Sequence, residues 1–336
     1  MSTIILLLTI FTFFCYTFFC CKSEGVKYLT VSQTNAIKGW AIIATYIHHY
    51  GQIRCEVYNA HSFLGYLGVA LFLFLSGYIA EIQASNKEDA TWKDKFWRKK
   101  FIRILVPKLI VVFAFGFIAG RSLEDNCMEY ICFWRDWFLT AIMINFALFY
   151  FAKYFRVALL KTIFFGELML VVACICTKQM IAWYNTAFLF GIGVWFVSHS
   201  KQVLNFFDRK RNLVLTIIIC SLTLFCSIMR YQRFVFDTIT GILFTFIFMY
   251  FVHKTDFESE FLNVVGKYSW EFYLIHARVI GIVLNRITTN SFLAFIVSFV
   301  ISLVIAVGVN VTVNVCFNQH YREQLLNKVI ALGQIK

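Results

Sequence analysis

Apolar stretches of about twenty residues, divided only by short charged segments, recur along nearly the whole chain. Runs of that length fit the hydrocarbon core of a bilayer. Backbone N–H and C=O groups cannot stay unpaired there, so each run is predicted to be a helix. Porin-type strands are excluded because the runs are too long and do not alternate. With 60% of 336 residues hydrophobic and 15% charged, an ordinary cytosolic enzyme, a disordered tail and a fibre are excluded too. The expected fold is all-α, a polytopic membrane helical bundle with a ten-span core plus one N-terminal span.

Spans are expected near 3–20, 34–52, 62–81, 101–119, 132–152, 157–176, 182–199, 212–229, 234–252, 267–286 and 292–316. Residues 1–29 form an extra N-terminal transmembrane helix with a short cytoplasmic link, 30–317 the membrane domain, and 318–336 a cytoplasmic tail. The run Ile4 to Phe19 lacks a basic leader and a small-residue cleavage site, so it reads as a retained helix rather than a signal. The single proline, Pro107, predicts a kink or a re-entrant start in the fourth run.

Charge orients the bundle. If the segment after the first span is cytoplasmic, twenty of the 31 Lys and Arg fall on that side and seven opposite. This positive-inside bias places the N-terminus outside and the C-terminus in the cytoplasm. The same bias explains most of the net charge of +13, and no soluble basic domain suggests nucleic-acid binding. Eleven cysteines show no metal-ligand spacing, and no metal is expected. Cys55 and Cys127 fall in separate outer loops, where a disulfide is conceivable. The longest hydrophilic segment, 81–100, is read as a loop, and no internal repeat is evident.

Ionisable groups within spans are costly and mark candidate sites. In the second span, Lys38 and His49 are eleven residues apart, share a helix face with Ile42 and Thr45, and stand about 16 Å apart along the axis. His48 points about 100° away. An imidazole near neutrality can take a proton from an alcohol and return it to a leaving thiolate. The plainer reading is that both histidines cap the helix at the outer interface. Ser76, Gly77 and Tyr78 close an apolar run in which small residues serve close helix approach, with Ser76 also able to present a hydroxyl. Arg98, Lys99, Lys100 and Arg103 precede Pro107. They serve topology first, and their density also suits the phosphates of a cytoplasmic donor.

Late in the chain, Glu271 and Arg278 are nearly eclipsed on one face, able to interact directly or through an intermediate group. His276 lies about 13 Å into the span, as a catalyst or as a tertiary hydrogen-bonding group. Glu167 and Asp237 are further buried acids whose partners the sequence does not name. Arg135-Asp136 lies where headgroups are expected, beside Trp137-Phe138-Leu139.

Four of these segments, in order, resemble the acyltransferase-3 family of integral-membrane acyltransferases. Residues 35–49 resemble its opening helix, residues 68–78 its Gly-Val-aromatic-Ser-Gly-Tyr segment, residues 98–107 its basic stretch leading to Pro, and residues 266–276 its late Gly-Lys-aromatic-Ser…Glu…Tyr-Leu…His segment. Trp137-Phe138-Leu139 is a weaker match. The resemblance runs from about Thr30 to Phe317 and makes 30–317 a membrane acyltransferase domain. It selects His49 over His48, and it departs at Lys38, where the family usually has Arg. Lys keeps the charge but loses the planar fork.

The resemblance implies transfer of an acyl group, commonly acetyl, from cytoplasmic acetyl-CoA or another acyl-CoA to a hydroxyl of a cell-surface or exported polysaccharide or glycolipid, in a bacterial inner membrane. His49 would be the general base and His276 would orient it or relay protons. Lys38, Arg98, Lys99, Lys100 and Arg103 would hold the donor, with Ser76, Gly77, Tyr78, Glu271, Glu167 and Asp237 supporting or packing. An exporter or flippase of sugar intermediates, and a purely structural membrane subunit, are the alternatives.

Overall fold

The computed structural model describes residues 29–54, 62–85, 89–132, 136–208, 222–223, 225–226, 234–255, 257–319 and 321–324. These form an all-α, polytopic membrane helical bundle. Its helices are α1 Val31–Arg54, α2 Ser62–Ser85, α3 Asp89–Lys100, α4 Val106–Ile118, α5 Leu123–Ile131, α6 Trp137–Tyr154, α7 Leu159–Cys176, α8 Leu189–Asp208, α9 Phe234–Lys254, α10 Glu260–Lys267, α11 Ser269–Arg286 and α12 Ser291–Phe317. Six segments among the described residues are long and apolar enough to cross a membrane: Leu64–Ser85, Thr91–Ile118, Trp137–Tyr154, Leu159–Cys176, Val235–Lys254 and Ser291–Phe317. The expected first span, most of the eighth, and Cys55 lie outside the described residues. Cys127 is a free thiol.

The described residues within Met1–Trp92 and Trp134–Lys267 make one compact unit, and those within Lys93–Phe133 and Tyr268–Lys336 another. In the first, backbones touch at several glycines. A Cβ on Gly77 of α2 would stand 2.1 Å from the Phe190 carbonyl oxygen of α8, and one on Gly193 would stand 2.0 Å from that of Phe74. The helix pair α1 and α10 meets the same way, with Gly39 against Leu262 and Gly266 against Asn35. Hydrocarbon is as apolar as leucine, so close fit rather than hydrophobicity holds such helices together. Around these seams lies an aromatic core in which Phe74 meets Phe196 edge-on and Trp40 rests 5.1 Å from Phe248.

The second unit is built on α4, α5, α11 and α12, with the end of α3. Along α12, Ala294, Ser298, Ser302 and Ala306 recur every fourth residue and are buried, a small-residue face of the kind that admits a neighbouring helix. Ser298 and Ser302 donate to the carbonyls four residues earlier, both at 2.6 Å, which leaves no orphaned hydroxyl.

Three boundaries differ from expectation, each for a local reason. The charged stretch 89–100 is helical rather than a loop, because Trp92 and Phe96 are four residues apart and both buried while Asp94, Lys95, Arg98 and Lys99 are exposed. The kink expected at Pro107 is taken up one turn earlier, by a π-helical turn at Phe101–Leu105. Proline clashes with the carbonyl four residues before it, and a wider turn relieves that clash. Trp270 Nε1 donates to the Ile104 carbonyl within this turn at 3.1 Å. The tenth span divides at Tyr268, so Gly266 and Lys267 belong to α10.

The connection between the fourth and fifth spans also carries the short helix α5. Gly120, at φ +67°, ends α4, with Arg121 N–H returning to the Gly116 carbonyl. Ser122 caps α5 by accepting from Asp125 N–H, and Glu124 and Asp125 suit its positive end.

Candidate functional site

The two candidate histidines stand on α1 and α11, and neither helix is among the six most apolar membrane-length segments. Polar residues cost α1 and α11 their hydropathy, and a membrane protein retains such residues where a wet or reactive interior needs them.

On α1 the expected stripe faces inward: Ile42 and Thr45 are buried, Lys38 and His49 half-buried. His49 Nδ1 lies 3.0 Å from Gln52 Oε1, three residues on. An amide oxygen only accepts, so Nδ1 carries the proton and Nε2 the lone pair, which makes Nε2 the basic atom. His48 diverges, its ring against Gly65, where a Cβ would lie 2.4 Å from His48 Cδ2. The rings of His48 and His49 are 4.9 Å apart and tilted by 59°. His48 thus fills the space that Gly65 opens.

On α2, Ser76 donates to the Phe72 carbonyl at 2.7 Å. Its proton is spent on its own helix, and only its oxygen lone pairs remain for another partner. Gly77 is the close-approach residue described above, and Tyr78 stands 6.2 Å from Phe196 across the α2–α8 seam. The two buried acids sit at helix N-terminal ends. Glu167 of α7 lies against Gly191 in the first turn of α8, and Asp237 occupies the first turn of α9. A third acid, Glu81, bonds Lys153 Nζ at 2.8 Å.

In the second unit, His276 is buried, with Nδ1 3.0 Å from the Phe272 carbonyl one turn back. A carbonyl also only accepts, so here too Nε2 holds the lone pair. The ring stacks at 12° on Phe272. Glu271, buried on the same helix, accepts from Asn310 Nδ2 at 2.7 Å, and Asn310 Oδ1 accepts from Asn314. Arg278 turns to Glu129 and to the Leu274 carbonyl rather than to Glu271. Of the basic run, Arg98, Lys99 and Arg103 are exposed and Lys100 is half-buried, with its ammonium 5.3 Å from the Phe96 ring centre. Exposed guanidinium and ammonium groups in one and a half turns suit several phosphates.

Sequence reasoning passed over Glu129, Asn310 and Asn314. An Asn pair four residues apart inside an apolar run of 27 residues was the available signal for the last two. Among the described residues no three His, Cys, Asp or Glu converge as metal ligands.

The acyltransferase-3 family model, described as an acyltransferase domain, matches residues 31–311. No curated protein and no solved structure matches the chain. The matched stretch runs from the first residue of α1 into α12, and so takes in both histidine-bearing helices and the basic run.

Proposed function

This chain belongs to the acyltransferase-3 family of membrane acyltransferases, and from that premise we propose that it transfers an acyl group, acetyl in the first instance, from acyl-CoA to a hydroxyl of a cell-surface or exported polysaccharide or glycolipid. The observation that carries the reading is the imidazole of His49 on the inward stripe of α1, held with Nδ1 at 3.0 Å from Gln52 Oε1.

His49 Nε2 takes the proton of the acceptor hydroxyl as its oxygen forms a bond to the thioester carbonyl carbon. Collapse of the tetrahedral adduct breaks the carbon–sulfur bond, and the departing thiolate receives the proton. His276, with the same tautomer imposed by Phe272, is the second imidazole of the reaction. The donor supplies an activated acyl thioester whose phosphates would be met by Arg98, Lys99, Lys100 and Arg103, with Lys38 as a further cation. Ser76, Gly77, Tyr78, Glu271, Glu167 and Asp237 support the helices that carry these groups. We assign 30–317 as the acyltransferase domain, with ten spans and an eleventh before it, the N-terminus outside and the C-terminus in the cytoplasm of a bacterial inner membrane.

Membranes containing the protein are incubated with acetyl-labelled coenzyme A, and the envelope glycan is then isolated. Label on the glycan, released by mild base as an ester, is the expected result. Absence of label while sugar still crosses the membrane would replace acyl transfer by export.

A further inference from the structure

A cavity of about 310 Å³ opens in the second unit where α4, α5 and α11 meet. Three guanidinium groups line it, from Arg121, Arg278 and Arg286, against one carboxylate, Glu129. Both carboxylate oxygens are engaged, one by Arg121 and one by Arg278. Arg278 is fixed further by the Leu274 carbonyl and by the Phe115 ring beneath its guanidinium. Glu129 therefore orders two arginines and neutralises the charge of only one, so the cavity keeps two positive charges. The exposed Arg286 has no hydrogen-bond or ion-pair partner among the described residues. Gly281 faces open space, with nothing within 4 Å of where its Cβ would be.

The surroundings identify the kind of anion. Phe115 and Ile282 line the same cavity. Phe117 and Ile118, 85% and 67% exposed, complete the membrane-length segment Thr91–Ile118 beside it. Arg121 and Arg286 thus stand at helix ends, next to apolar side chains that no other part of the described protein covers. Forked guanidinium donors match phosphate oxygens in pairs, and a volume near 300 Å³ is at the lower end of ligand sites.

We propose that this cavity binds the phosphate ester headgroup of a net-anionic membrane amphiphile. Arg286 and Arg278 contact the phosphate, and the amphiphile's chains lie along Phe117 and Ile118. The site is built from residues that take no part in the acyl-transfer reading and stands or falls without it.

The full chain, purified in detergent, is titrated with dioleoylphosphatidylglycerol and with dioleoylphosphatidylcholine, and bound lipid is counted by native mass spectrometry. Soluble glycerol phosphate is offered as competitor. Phosphatidylglycerol should bind at least tenfold more tightly than phosphatidylcholine, because one charge-assisted contact is worth about that factor. Arg286→Ala, at an exposed position, and Gly281→Leu, which fills open space, should each weaken it about tenfold. Lys161→Ala, an exposed cation elsewhere, should not. Unchanged binding in both cavity variants, equal retention of the two lipids, or glycerol phosphate binding as tightly as the lipid would each overturn the proposal.

Discussion

Replacing Gly77 by alanine tests whether the Ser76-Gly77-Tyr78 segment works by packing or by chemistry. The new Cβ would lie 2.1 Å from the Phe190 carbonyl oxygen and 3.2 Å from Val194 N, whereas ordinary contact begins at 3.4 Å. Both obstacles are backbone, so no rotamer change relieves them, and α2 and α8 must separate by about 1.3 Å along this seam. The separation also loosens Gly193 against Phe74 and the edge-on ring pair Phe74–Phe196. Overpacking in a rigid core costs about 1–3 kcal/mol, and a clash with two fixed backbones belongs near the top of that range. Gly308→Ala is the matched control: nothing lies within 4 Å of its Cβ, so helix propensity alone should stabilise the protein by about 0.5–1 kcal/mol. Heating each variant in detergent and following the monodisperse fraction by size exclusion gives the order: Gly308→Ala at or above the parent, Gly77→Ala well below both. Equal stability of the two variants would refute the close-approach argument. Parental stability with lost acyl transfer would move Gly77 from packing to the reaction itself.

Three further substitutions separate local roles. His49→Ala should leave membrane insertion intact and lower acyl transfer by about 100-fold or more, the usual worth of a positioned base; normal turnover in proteoliposomes would remove His49 from the mechanism. Ser76→Ala should transfer at close to the parental rate, since its proton is already given to Phe72, and a hundredfold loss would make it an oxyanion donor after all. Trp270→Phe should cost about 1 kcal/mol of thermal stability by removing the indole donor to the Ile104 carbonyl in the π turn; an unchanged unfolding temperature would show that this bond contributes nothing.

The chain's membrane character and most helix positions were legible because run length and hydrocarbon thickness are set by the same rise per residue. The inward stripe on α1 was legible for a related reason: eleven residues make almost three turns, so Lys38, Ile42, Thr45 and His49 had to share a face. Tertiary partners were not legible. Glu271 and Arg278 were placed on one face correctly, yet Arg278 bonds Glu129, which lies 149 residues earlier. The helix α5 was hidden by its nine-residue length, although Ser122 followed by Glu124 and Asp125 is a readable cap. The helical run through 89–100 was misread because charge suggested a loop, when Trp92 and Phe96 at four-residue spacing were the stronger signal.

A division of labour follows from where each polar group finds its partner. Groups that join different helices hold the bundle: Lys153 to Glu81, Asn310 to Glu271, Trp270 to Ile104, and Arg278 to Glu129. The two imidazoles are also held from within their own helices, His49 by a residue three ahead and His276 by a carbonyl four behind. An intrahelical partner fixes ring orientation and tautomer as soon as the helix forms, and keeps them fixed if helices shift to admit a substrate. This local arrangement suits a base that must keep one reactive nitrogen while the bundle around it accommodates bulky molecules. Ser76 shows the same locality with the opposite consequence, because the intrahelical bond that orients its hydroxyl also consumes its only proton.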